Sequence, residues 1–474
     1  MDTNTTETAA SAANVQYPHS HRNREVLRTF NAFFHNEATG GILLLIAAII
    51  AVVLATIPAT QGFDKFWDNE FGLTFGGESV TLSLRLWVND ALMAIFFFTV
   101  GLEIKREMLV GQLSSIKRSI LPIMGAIGGM IVPAVIFFLF NRNNPESVGG
   151  WGIPMATDIA FAIGVLSILG SKVPTSLKVF LTALAIVDDL GAIIVLAIFY
   201  PSHAIDFTYL IYVALVMMVL LTFNRLKVRH AIFYILPGLL MWYFTYKSGV
   251  HATISGVLLA LAIPSKGTIN EVRFNSKLQK LLERFRLTTN SETEVLASPE
   301  QQHIIHSMHK ELQCVDPLMH QLESKLSPIV NFLIMPLFAL ANAGVALNFD
   351  AFSAGIPAAS LGIFFGLVLG KPLGIFLFSF LSIKTKIAEK PNGVKWIQFA
   401  AITVLGGIGF TMSIFVNGLA FTDPDLVAVG KISILLTSTV AAILGMVCLS
   451  ATCRSRAQRP TAVDILPEST NRIK

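Results

Sequence analysis

Two consecutive acids, Asp188 and Asp189, stand near the middle of the run Val179 to Tyr200, whose other residues suit a hydrocarbon-spanning helix. An ionisable group at bilayer depth costs roughly 2.5–3.5 kcal/mol on insertion scales, so two in succession need a compensating use. Carboxylate oxygens are hard ligands suited to a small cation, and they take up protons when the cation leaves. Two ionised carboxylates in a poorly solvated pocket repel, so cation binding and protonation compete for the pair. Adjacent helical positions point about 100° apart, which lets one acid line a cavity while the other lies nearer a packed interface. Residue type does not say which.

Asp158 and Lys371 are the other ionisable groups expected at mid-depth. Where two half-helices meet, their N-termini carry partial positive charge and their C-termini partial negative charge, so an acid and a base at the crossing would neutralise them. Asp158, after a glycine and proline cluster, suits the first task, and Lys371, between Gly370 and Pro372, the second. Lys371 equally suits an ion pair with an aspartate that is released when a cation arrives.

The elements that must position these groups are membrane helices. Of 474 residues, 53% are hydrophobic and 14% charged, too apolar a balance for a soluble protein of this size. Runs long enough, at about 20 residues each, to cross a hydrocarbon core of about 30 Å fall near 39–58, 86–110, 119–140, 146–170, 176–200, 205–223, 231–246, 248–264, 328–347, 355–382, 396–421 and 426–450. An all-α polytopic membrane protein with twelve transmembrane helices is therefore expected. The polar segment 1–38 lacks the apolar region and cleavage site of a secretory signal, so it is read as a cytoplasmic N-terminal tail, with 451–474 as a cytoplasmic C-terminal tail. With this orientation most Lys and Arg fall in cytoplasmic loops, tails or helix ends; Lys65, Arg85, Arg142 and Lys247 fall outside. The net charge of +5 thus reflects membrane topology, and with no basic groove or stacking motif no nucleic-acid partner is expected. Cys314, Cys448 and Cys453 have no metal-ligand spacing and imply no disulfide framework.

Two spans are irregular. The fourth contains Gly149, Gly150, Gly152 and Pro154 just before Asp158, and the eleventh contains Gly406, Gly407 and Gly409. Spans three to five and ten to twelve start from opposite sides and each triplet is interrupted in its middle helix, the pattern of an inverted repeat with broken helices around a midplane ion site. Between the first two spans, about 72–87, alternation around Gly76-Gly77 predicts a small external β-hairpin whose edge can pair with a second copy. Residues 265–327 are read as a cytoplasmic insertion. In it Ser298-Pro299 suits a helix start, and His303, His306 and His309 suit a solvated polar face more than a metal or pH-sensing site.

Several motifs together resemble the NhaA-type sodium/proton antiporters of bacterial inner membranes. They are Val187-Asp188-Asp189-Leu190-Gly191, Ala156-Thr157-Asp158-Ile159-Ala160-Phe161-Ala162, the run Val100 to Glu107, Gly370-Lys371-Pro372-Leu373-Gly374, and Gly406 through Phe410-Thr411-Met412-Ser413. The resemblance runs from about Phe33 to Leu449, excluding the insertion. It implies electrogenic exchange of cytoplasmic sodium or lithium for external protons, activated at alkaline pH, with no cofactor, in sodium and pH homeostasis and salt tolerance. It also implies a homodimer in the inner membrane. The resemblance assigns ion and proton binding to Asp188 and Asp189 and places Asp158, Thr157 and Lys371 at the helix crossing. It assigns pH response to positions matching Glu103, Arg106, Glu107, Glu323 and His251, although an ordinary solvated helix end suits the first three equally and a packing role suits His251. Ser324 and Ser327 depart from the family, whose well-known members carry histidines there, which leaves the pH set point open.

Two other classes place acids in a bilayer. An intramembrane aspartyl protease needs two aspartates on facing helices sharing a proton, whereas this pair is contiguous and no Gly-x-Gly-Asp motif is present. A passive sodium channel favours symmetric rings of acids contributed by several subunits.

Overall fold

The computed structural model describes residues 37–57, 60, 62–75, 78–265, 271–288, 299–346 and 355–453. Almost all of the expected N-terminal tail and most of the C-terminal tail lie outside these residues. In hydrocarbon every backbone N–H and C=O must be satisfied within the chain, and the apolar runs accordingly form helices. In chain order these are α1 (Glu37–Thr56), α2 (Leu84–Leu109), α3 (Ile116–Asn141), α4 (Pro145–Met155), α5 (Ile159–Ile168), α6 (Thr175–Phe199), α7 (Phe207–Arg225), α8 (Ile232–Lys247) and α9 (Ile254–Ala262). The polar α10 (Glu271–Leu287) and α11 (Pro299–Val315) follow, then α12 (Leu318–Asn342), α13 (Ala358–Lys384), α14 (Trp396–Leu405), α15 (Phe410–Ala420) and α16 (Pro424–Thr452).

Among the described residues, eight helices are long and apolar enough to cross a membrane. The pairs α4–α5 and α14–α15 are each bent by 49°, and counting each pair as one crossing raises the number to ten. Both bends fall where glycine and proline predict interruptions: 156–158, after the Gly149–Pro154 cluster, and 406–409. The expected seventh and eighth runs hold shorter helices, α8 of 16 residues and α9 of 9. At 1.5 Å per residue α9 rises only about 14 Å, because the chain from Ser248 to Thr253 is spent on a loop that turns at Gly249, φ +83°. Helix α12 begins at Leu318 and continues through Pro328, so it passes from the expected insertion into the expected ninth span without a break.

One two-stranded antiparallel sheet, β1 (Glu70–Phe75) with β2 (Glu78–Ser83), pairs Glu70 with Ser83 and Phe75 with Glu78. The large exposed side chains are apolar on many helices, for example Ile49, Phe138, Ile211, Leu239 and Val447, as suits helices bathed in hydrocarbon. The polar groups gather inside. Helices α3 and α13 approach closely enough that a Cβ on Gly128 would strike the Gly374 carbonyl oxygen, and one on Gly374 would strike that of Gly128. This contact holds Lys371 beside the break between α4 and α5.

Candidate functional site

The two broken helices cross at their breaks, and the crossing is tied together by the residues that the chain spends there. Asp158 has extended backbone and caps α5, its Oδ1 accepting the Phe161 N–H at 2.9 Å. Its Oδ2 accepts the Thr411 N–H at 3.1 Å and the Thr411 hydroxyl, so one carboxylate serves the N-terminal ends of both α5 and α15. Its own N–H donates to the Ile408 carbonyl at 2.8 Å. The opposite ends are also met. The Thr157 hydroxyl lies 3.1 Å from the Gly406 carbonyl that follows α14, and the Lys371 ammonium donates to the carbonyl of Met155, the last residue of α4.

The paired acids enter from α6. Asp188 Oδ2 receives Lys371 Nζ at 2.5 Å and lies 2.5 Å from the Thr157 hydroxyl. All three groups are enclosed: Asp188 is 1% exposed, Lys371 0% and Thr157 0%. Asp189, also 1% exposed, turns away from this ion pair. It lines a cavity of about 330 Å³ together with Asp158, Thr411, Glu103, Arg106 and Glu323, whereas Asp188 is not among the lining residues. Neither Asp188 Oδ1 nor Asp189 Oδ1 has a hydrogen-bond partner among the described residues. Buried carboxylate oxygens left unpaired are costly, and a proton or a small cation is what such oxygens can take.

At the other end of the cavity, Arg106 on α2 lies 2.8 Å from Glu323 on α12, 3.4 Å from Glu107 and 3.8 Å from Glu103. Glu107 also accepts the Gln112 N–H at 2.9 Å, which fastens the turn after α2. Ser324 and Ser327 line the cavity beside this cluster. His251 is elsewhere. It sits in the loop before α9 with Nδ1 2.9 Å from the Thr253 hydroxyl, Nε2 3.8 Å from Asp90, and its ring against Phe415. Asp90 precedes Glu103 by thirteen positions on α2, so this contact lies about 20 Å along the helix from the Arg106 cluster.

Thr411 and the Met155 carbonyl complete the crossing. Thr411 belongs to the glycine-rich motif of the eleventh span, but which acid it meets follows only from the bend of α14–α15. A backbone carbonyl has no signature in sequence. Asp90, and the reciprocal amide pair Asn89–Asn342 at 2.7 and 3.1 Å, do not stand out along the chain either. Polar residues near either end of a helix read as interfacial until their partners are known.

This set of contacts falls within a stretch that known proteins share. A model of the Na+/H+ antiporter 1 family matches residues 31–449. The chain belongs to that family. A Na(+)/H(+) antiporter NhaA of Helicobacter pylori is 44% identical over 425 residues, covering 89% of this chain and 95% of that protein. One from Oleidesulfovibrio alaskensis is 45% identical over 432 residues, covering 91% and 96%. Antiporter NhaA 2 of Helicobacter hepaticus is 44% identical over 425 residues, covering 90% and 95%. In this Na+/H+ antiporter 1 family member the cavity, the crossing and the acid pair all lie inside the matched region.

Proposed function

We infer that this chain exchanges sodium for protons across a membrane, with Asp189 as the acid that meets the ion from the cavity and Asp188 as the acid held by Lys371. The observation that carries this reading is one path: the cavity runs from the Arg106–Glu323 pair to Asp189, and Asp188 is one residue further, locked to a lysine. A sodium ion arriving at Asp189 gains its unpaired oxygen. Drawing Asp188 Oδ2, as well as its unpaired Oδ1, into the coordination releases Lys371, whose ammonium stays on the Met155 carbonyl. In the reverse step the sodium leaves and each carboxylate takes up one proton, two protons for the one sodium, while Lys371 keeps its own proton on the Met155 carbonyl.

Two protons taken in for each sodium sent out moves one net positive charge inward. A membrane potential of 100 mV drives each such charge by about 2.3 kcal/mol. Electrogenic exchange, lithium as a second substrate and activation at alkaline pH follow from this reading. The pH response is placed on the Glu103, Arg106, Glu107 and Glu323 cluster, with His251 acting separately near the other end of α2. The same reading has twelve crossings, with α8 and α9 completing the count, and an inverted repeat around the two bent pairs. It puts both termini in the cytoplasm, the chain in a bacterial inner membrane, and a homodimer joined through the β1–β2 hairpin.

Everted membrane vesicles test the exchange. Sodium added to vesicles carrying the parent chain should collapse a preformed proton gradient, and Asp188→Asn and Asp189→Asn should each abolish that response across pH. A parent without a cation-dependent response overturns antiport; full exchange in both variants removes the two aspartates as the site while leaving antiport standing.

A further inference from the structure

A second cavity, of about 890 Å³, lies on the flank of the helix crossing. Its rim is made by exposed apolar side chains of α1 and α16, including Ile49, Val53 and Leu436, and by Ile356 just before α13. The same two helices continue past the groove with further exposed apolar residues, Ile42 and Ile46 on α1 and Ile443 and Val447 on α16. The groove is therefore continuous with the surface that this membrane protein turns to hydrocarbon. Its floor is the ring pair Phe161–Phe410, with centroids 5.3 Å apart, both nearly fully buried.

The polar groups of the groove are already used. Ser433 Oγ lies 2.8 Å from Ser360 Oγ and 2.7 Å from the Val429 carbonyl. The Thr437 hydroxyl donates to Ser433 O at 2.5 Å and that of Thr439 to Leu435 O at 2.8 Å. Ser438 Oγ accepts the Phe410 N–H at 3.0 Å. With its hydroxyls committed and no charged lining residue, the groove offers nothing to an ion or a polar headgroup. Its volume is in the range of small-molecule sites, about 300–1,000 Å³. A void of that size lined by hydrocarbon forfeits dispersion contacts that a flexible apolar chain would restore.

We propose that this groove is a binding site for one acyl chain of a bilayer lipid, seated against Phe161 and Phe410. The position gives it a bearing on the ion site. Phe161 donates its N–H to Asp158, and Phe410 is followed directly by Thr411, which donates to the same carboxylate. A chain in the groove presses on the outer side of the two residues that hold the crossing closed, and its seat depends on the bend of both broken pairs.

The full chain, reconstituted in nanodiscs of phosphatidylglycerol carrying a diazirine at mid-chain, tests the site. After photolysis, peptide mass spectrometry compares lipid adducts on Leu361, Phe364 and Leu436 with adducts on Leu236 and Leu239, an exposed apolar face of α8. Groove residues should carry several-fold more adduct, and Thr439→Trp, which plugs the groove from α16, should bring them down to the level of the α8 face. Leu361→Trp plugs it from α13 and replaces that variant if it does not fold, as judged by its size-exclusion profile. Equal labelling of the two faces, or an excess that survives the plug, overturns the proposal.

Discussion

At the scale of single residues, the two adjacent acids are not equivalent. Asp188 shares one oxygen between Lys371 and Thr157, whereas Asp189 faces the cavity with Oδ1 free of hydrogen bonds among the described residues. The Asp188–Lys371 pair is wholly buried, and removing one partner of such a pair costs about 3–5 kcal/mol because the other charge is left uncompensated. Lys371→Ala should therefore lower the thermal unfolding temperature of the purified protein. Adding Asp188→Asn to that variant should recover much of the loss. Stability that falls equally in the single and double variants would show that Lys371 acts through packing or Met155 alone.

At the scale of elements, the site exists because helices break and pack in particular places. Each break exposes backbone groups, and the side chains of Asp158, Thr157 and Lys371 satisfy four of them: the Phe161 and Thr411 N–H groups and the Gly406 and Met155 carbonyls. Lys371 reaches the crossing because α3 and α13 meet glycine to glycine. A side chain at Gly128 would strike the Gly374 carbonyl, a backbone atom that cannot rotate away. Overpacking of this kind costs about 1–3 kcal/mol. Gly128→Val should lower the unfolding temperature and weaken exchange in vesicles by displacing Lys371 from Asp188, whereas Gly418→Ala, with open space around its Cβ position, should leave both unchanged.

At the scale of the whole molecule, the cavity and its charge cluster lie toward one end of α2, and the His251–Asp90 contact lies toward the other. Helix α2 thus carries polar groups toward both ends of the crossing. The hairpin stands apart from this machinery, and a sheet of two strands leaves edges open for pairing with another chain. Deleting 72–84 should lower the yield of crosslinked dimer in membranes while the monomer still exchanges sodium for protons. Unchanged crosslinking would place the dimer contact elsewhere.

Much of this was legible along the chain because membrane-embedded charge and glycine clusters are local signals. Hydrocarbon penalises each ionisable residue individually, so Asp158, Asp188, Asp189 and Lys371 stood out within apolar runs, and all four are buried; the breaks at 156–158 and 406–409 stood out by glycine and proline. The hairpin declared itself by alternation. Lengths at α8 and α9 were less legible, since the loop from Ser248 to Thr253 carries no Asp, Glu, Lys or Arg and runs directly into an apolar stretch. What only the tertiary structure decided was pairing. An angle of about 100° between neighbours says that Asp188 and Asp189 diverge, but which one meets Lys371 depends on the rotation of α6 against α13 and on a glycine contact between α3 and α13. The grouping of Glu103, Arg106 and Glu107 with Glu323, and the separation of His251 from them, likewise depend on which helices pack together, a property that no local stretch of sequence contains.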